Sequence, residues 1–466
     1  MMSRKYALFS GTILLVGLIC FFSPAMRGEV RGEIFQVAEG RRRPYSSPSA
    51  GATEALIEDD AAGREDKDEG RENESGSKDY GGKSSRESGF KTGRGSEVEI
   101  VLEGVLAWDY SYYSQARLDG ARGEWKRQWL GESELRRASL DLKSKLNKDL
   151  QAELELSFAS GEKSSAEVED AYMEFGGLNN AALTIGQAKE PFGLEELTSS
   201  EDLITIERSM ATSAFVPGRR PGLKLSGVES RFTWAFGVYE ALDRKEKKDT
   251  YAATGRLTLL PWRNKSGLLH LGLSGSVRDF GGEEYRIKER AEVHTAPEIV
   301  NSVKTLADKV NLAGFEAALC FGPILLQAEY MAASIKAEVG DEAGYEGYYL
   351  QASYSLSGES REYKKGVFNS LQPRAQGAAL ELLARSSVLD ASLPLSGKRS
   401  PLASSQQSNH QSRAGVKAAN LTLGLNYYLS RRVRLMLNYI QTNLTGSVAK
   451  EANHAKAISF RAQYGL

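Results

Sequence analysis

From residue 98 onward the chain alternates apolar and polar side chains with a period of two. In VEIVLEGVLAWDYSYY (98–113), Ile100, Leu102, Leu106, Trp108 and Tyr110 share one face of an extended chain, and Glu103 and Asp109 share the other. QAELELSF (151–158) sets Ala152, Leu154, Leu156 and Phe158 against Gln151, Glu153, Glu155 and Ser157. In AISFRAQYGL (457–466), Ile458, Phe460, Ala462, Tyr464 and Leu466 oppose Ser459, Arg461 and Gln463. A soluble sandwich alternates too, but with shorter strands and without aromatics such as Trp108, Tyr110, Tyr427 and Tyr439 near the strand ends. Segments of about 10 residues, apolar outside and polar inside, with aromatic girdles, predict an all-β, antiparallel transmembrane barrel of the outer-membrane kind.

Strands are expected near 98–112, 132–146, 149–159, 167–176, 181–189, 220–228, 231–240, 251–260, 267–280, 310–321, 324–336, 346–357, 376–389, 417–429, 432–444 and 455–466. They number about 16, the even count that bacterial barrels require, and a strand at 455–466 suits closure on the first. Connections at 147–149, 176–180, 228–230, 321–323 and 429–431 are short and fall on one end. Those at 113–131, 190–219, 281–309, 390–416 and 445–454 are long and fall on the other, the asymmetry of periplasmic turns and external loops. The count places EYRIKERAEVH (284–294) in an external loop and leaves 358–375 as a long periplasmic connection.

AKEPFGLEELTSS (188–200) opens the long connection 190–219. Pro191 denies a sheet its donor and Phe192-Gly193 breaks the alternation, so the strand ends there. The loop runs on to about Gly218, rich in carboxylates, hydroxyls and arginines. Connections beyond roughly 12–15 residues are usually functional or disordered.

The N-terminus changes the picture by adding export. Arg4 and Lys5 precede the apolar run 7–22, and Ser23-Pro24-Ala25 offers a cleavage site, so 1–25 reads as a signal peptide. The run is shorter than the ~20 residues a spanning helix needs, and Ile19 before Cys20 is too bulky for a lipidation signal. Residues 26–97 are charged and rich in Gly and Ser, with few large apolar side chains, and read as a disordered linker. That linker could grip peptidoglycan or a periplasmic partner, or simply connect. Residues 98–466 form the barrel domain.

After cleavage only Cys320 remains, which excludes an intramolecular disulfide. His270, His294, His410 and His454 lie too far apart for a local metal motif, and His270 is expected on a solvated polar face. No phosphate-binding loop, nucleophile elbow or HExxH helix can be read, so neither a cofactor nor a metal is implied. An enzyme in the membrane would need His with Ser or Asp high on the barrel, and no such convergence is visible. A formal net charge of −1 argues against nucleic acid as a partner.

By parity Arg137, Ser139, Lys143, Lys224, Arg256, Arg278 and Arg385 face inward, a ladder on which an anion exchanges water for successive weak sites. Asp141, Glu153, Glu155, Asp170, Glu174, Glu329 and Glu381 share that face, so any one arginine is equally well read as bracing the wall.

IGQAKEPFGLEELTSS (185–200), AFVPGRRPG (214–222), YYLQASYSLSGESREY (348–363), GAALELLARSSVLD (377–390) and LNYYLSRRVRLMLNYI (425–440) together resemble the phosphate-selective porin O and P family. The resemblance implies a homotrimer of 16-stranded channels in outer-membrane lipid, passing small anionic solutes, with the third external loop folded inward to narrow each lumen. It places Arg136, Arg137, Ser199 and Ser200 where anion-selective members carry constriction arginines and serines, and Arg208, Arg219 and Arg220 complete the candidate path. Glu196 stands where the phosphate-specific members carry a loop lysine. Either it faces the path and weakens phosphate selectivity, or it turns to the wall and bonds Arg208 or Arg220. A general small-solute pore and a structural or adhesive barrel are the remaining alternatives.

Overall fold

A computed structural model describes residues 98–119, 124–159, 166–241, 250–337, 342–374, 377–392, 415–446 and 454–466. The expected signal peptide and linker, 1–25 and 26–97, lie outside the described residues. The chain enters the barrel with β1 (Glu99–Asp119), β2 (Glu124–Lys145), β3 (Leu150–Ser157), β4 (Glu167–Leu178) and β5 (Ala181–Lys189). Two short helices follow, α1 (Leu194–Leu197) and α2 (Met210–Phe215). The barrel resumes with β6 (Arg219–Val228), β7 (Phe232–Glu240), β8 (Tyr251–Arg263) and β9 (Gly267–Tyr285). A hairpin of β10 (Lys288–Arg290) and β11 (Glu298–Asn301) separates β9 from β12 (Thr305–Phe321), β13 (Ile324–Ala337) and β14 (Glu342–Ser355). A second hairpin, β15 (Tyr363–Lys364) and β16 (Val367–Phe368), precedes β17 (Ala379–Asp390), β18 (Val416–Tyr428), β19 (Val433–Gly446) and β20 (His454–Gly465).

The two hairpins stand apart; the other sixteen strands form one closed antiparallel ring in chain order. β20 pairs with β1 from Val105↔Gly465 to Tyr113↔Ala457, so no edge is left unpaired. Alternation sorts the faces. Leu257, Leu271 and Phe315 lie exposed on the outside, suited to lipid, while Arg256, His270 and Glu316 on the same strands are buried within.

Three expectations are corrected. The expected loop 113–131 is mostly strand, because β1 and β2 stay paired as far as Asp119↔Glu124. The segment 281–309 is neither all loop nor peripheral: β9 and β12 lengthen into it, and β10 and β11 pair within it. Its apolar Ile287 and Val300 are buried with Phe192 and Met210 of 190–218 and with strand residues such as Ile335 and Val416, so this connection packs into a shared core. Tyr113 on β1 donates to Thr295 O at 3.2 Å, and His294 lies 2.8 Å from Glu134 on β2, so the segment reaches strands half a turn around the ring. The long connection 358–375 packs against inner-face residues: Arg361 binds Glu381 at 2.7 Å, and Tyr363 sits 2.8 Å from His270 Nδ1. His270 is therefore fully buried, not solvated, because this connection covers it.

Candidate functional site

The segment 190–218 takes its shape from Pro191 and Gly193. Pro191 offers no N–H, and Gly193 adopts φ 75°. The next two amides then point the same way, and Leu194 N–H and Glu195 N–H each donate to the Glu329 carboxylate on β13 at 2.7 Å. Arg208 closes the turn, donating to the carbonyls of Glu195, Glu196 and Thr198. Ser209 caps α2, its hydroxyl accepting from Thr212 N–H at 3.1 Å.

A Cβ on Gly193 would meet Met331 Cε at 2.9 Å and Glu329 Oε2 at 3.1 Å. Gly193→Ala is therefore expected to cost about 1–2 kcal/mol for the left-handed backbone alone, with the collision added. The measurement is the temperature at which the folded electrophoretic band converts to the unfolded one; an unchanged midpoint would contradict this account of the turn.

Carboxylates and carbonyls tie the segment to strands around the ring. Glu190 binds Arg278 at 2.8 Å, Glu195 binds Arg385 at 3.1 Å, and Glu207 binds Arg136 at 2.9 Å and Arg461 at 2.8 Å. Ile204 O accepts from Asn426, and Ile206 O from Arg461. Burial raises the Glu207 carboxyl, but Arg136 and Arg461 outweigh it and hold Glu207 well below the ordinary carboxylate range. Since the folded value is depressed, this anchor stabilises fully above the unfolded value of about 4.3 and is lost as pH falls through the folded value. Protease resistance within 190–218 should thus persist at pH 4 and fail only in stronger acid. Loss of protection between pH 6 and 4 would contradict it.

A β-bulge decides which arginines meet here. Ala107 pairs with Arg137 but Trp108 with Leu135, so Arg136 is the extra residue of β2. Strict alternation would send neighbouring arginines to opposite faces. Instead Arg136 bonds Glu207, while Arg137 lies within the fields of Arg136, Glu207, Arg461 and Arg208. Arg137 forms no hydrogen bond or ion pair among the described residues, and its Nε has no partner. Nearby, Glu196 pairs with Arg208 at 3.0 Å and lies 3.7 Å from Lys189. Burial pushes its carboxyl up, but Arg208 and then Lys189 bring it below its ordinary value. Arg461 also holds Asp109 at 2.7 Å. Arg136, Arg137, Lys189, Arg208, Arg219 and Arg461 thus share one neighbourhood with Asp109, Glu134, Glu196 and Glu207.

Residues 100–466 match the family described as Phosphate-selective porin O and P. The chain belongs to this family. The porin is 26% identical over 314 residues to Porin O of Pseudomonas aeruginosa, which covers 59% of this chain and 69% of that protein. Among solved structures, OmpT, an outer membrane protein of Vibrio cholerae, superposes with a TM-score of 0.50 at 11% identity, over 80% of this chain and 99% of that one. An anion-selective porin from Comamonas acidovorans gives a TM-score of 0.48 at 15% identity, over 79% and 100% of the two chains. At such identities the structural likeness concerns the fold alone. The family and the lipid-facing ring put this porin in the outer membrane.

Of the residues singled out in the porin's sequence, Arg136, Arg137, Glu196 and Arg208 come together. Ser199 and Ser200 line a neighbouring cavity with Arg219, which is bound by Glu155, Glu169 and Asp170. Lys224 and Arg220 stand on β6 opposite Thr184 and Ala188. The other three arginines lie apart, each held by a carboxylate: Arg256 by Glu316 at 2.7 Å, Arg278 by Glu190, and Arg385 by both Glu195 and Glu292. Sequence reasoning left Lys189, Glu207 and Arg461 unassigned. Arg461 was recoverable, because parity in AISFRAQYGL already puts it on the polar face.

Proposed function

We propose that this porin is a water-filled channel for passive diffusion of small anions across the outer membrane, narrowed by the 190–218 segment and assembled as a homotrimer. The observation that carries the anion preference is the surplus of cations around Arg137, whose guanidinium has no bonded carboxylate. A permeating anion supplies the missing charge and leaves again because no fixed ligand cage holds it. Arg256, Arg278 and Arg385 brace the wall in this reading, their charges being spent on Glu316, Glu190, Glu195 and Glu292. The protein is then a conduit and not a catalyst.

Reversal potentials across a potassium chloride gradient in a planar bilayer test the proposal. Chloride should permeate several-fold better than potassium at low salt, with the preference shrinking as salt screens the lumen. Equal permeability at low salt would remove the anion preference and leave a general pore; absence of conductance would remove the channel.

A further inference from the structure

A cavity of about 460 Å³ lies beside the 190–218 segment, and its charges divide by sign around the ring. On the β1–β6 side it is lined by Glu103, Asp141, Glu153, Glu155 and Asp170, with Lys143, Lys189 and Arg219 as the cations set among them. Lys143 binds Glu103 and Asp141 at 2.6 and 2.8 Å, and Arg219 binds Glu155 and Asp170 at 2.9 and 3.0 Å. Glu153 is bonded by the Tyr172 hydroxyl, a neutral donor. Five carboxylates against three cations leave this wall negative.

The lining from the β18–β19 turn and the start of β19 has the opposite sign. It consists of Arg431, Arg432 and Arg434, with Glu201 alongside. Arg434 is 3% exposed, yet its guanidinium is bonded by neutral acceptors: the carbonyls of Leu203 and Glu201 at 2.9 Å, Gln463 Oε1 at 3.2 Å, and the hydroxyls of Tyr428 and Ser370. Its Nε has no partner at all. Arg431 and Arg432 form no side-chain ion pair among the described residues. A guanidinium bonded only to neutral acceptors keeps its charge uncompensated, so an anionic group brought to the cavity edge by a solute gains from it.

The two walls together favour one class of solute. A simple anion gains from the arginines and loses against the carboxylates, and a simple cation does the reverse. A solute carrying both signs gains from both, because it can turn in the field between them. We propose that this cavity is a binding site for small dipolar solutes that bear an anionic group and an ammonium group. The proposal rests on the reading of the chain as a diffusion channel and adds a solute class to it.

The test compares 4-aminobutyrate, butyrate and butylammonium as blockers of potassium chloride current through the full-length protein in a planar bilayer. 4-Aminobutyrate should reduce the single-channel current saturably, at roughly tenfold lower concentration than either single-charge analogue. Glu153→Gln and Arg432→Gln should each raise that concentration several-fold and bring the three probes together. Because Arg432 is exposed, its variant should fold like the parent, which the heat-induced band shift checks. Equal blocking by all three probes, or block unchanged in both variants, overturns the proposal. The reversal potential is read in the same membranes: discrimination for 4-aminobutyrate without chloride preference sinks the anion reading alone, and chloride preference without that discrimination sinks this one alone. A protein that conducts nothing sinks both.

Discussion

Arg385→Leu is expected to lower the unfolding midpoint more than any other single substitution in the lumen. Arg385 donates to Glu195 at 3.1 Å and to Glu292 at 2.5 Å, and all three side chains are nearly or wholly inaccessible to water. One guanidinium thus compensates two buried carboxylates that belong to different connections between strands. Breaking one buried pair by removing a partner costs about 3–5 kcal/mol, since the charge left behind has lost both water and counter-ion. Here two are left behind. Both 190–218 and 286–304 should loosen together, giving noisier single-channel currents and new protease cleavage in both. Arg385→Lys should recover part of the stability, because an ammonium can reach one carboxylate but lacks the guanidinium fork. A midpoint equal to the parent's in Arg385→Leu would show that the two connections are held elsewhere.

Arg137→Gln should have the opposite signature, a large change in selectivity without loss of stability. Its charge has no bonded carboxylate to abandon, so removing it relieves a cost instead of creating one. A unit charge a few ångströms from a passing ion is worth about 4 kcal/mol at an effective dielectric of ~20. Screening and the neighbouring cations leave roughly 1 kcal/mol of that difference, about a fivefold fall in the chloride-to-potassium permeability ratio at low salt. The reversal potential measures it and the melting midpoint serves as control. An unchanged ratio would place the ion path away from β2.

The barrel was legible because its signal is local and repeated. Period-two alternation in VEIVLEGVLAWDYSYY or AISFRAQYGL needs no knowledge of the rest of the chain, and the short turns between strands fix the count. The site was less legible, because it depends on which charges meet across the ring. Parity put Arg137, Arg256, Arg278 and Arg385 on one face, but nothing local distinguishes Arg137, left without a partner, from Arg385, which has two. Parity also fails at Arg136, where one extra residue in β2 turns it to the same side as Arg137. Glu196 had two open placements in the sequence; it pairs with Arg208, 12 residues along its own loop. Glu292 lies in a connection with no periodic pattern, and only the fold carries it to Arg385.

The closing seam between β20 and β1 also governs when the molecule can be made. Asp109 and Arg461 stand 352 residues apart in the chain, and their bond lies on the only seam that joins the ring's two ends. Contacts of such separation bear the full entropy of loop closure before they stabilise anything, which makes them late and slow. Until β20 arrives, β1 has a bare edge, and each strand already formed shows lipid-facing side chains to water. A chain that lacks one side of the seam therefore has no closed barrel to rest in. Closure of the ring and burial of its outer face in lipid have to come together, once the strands on both sides of the seam are present.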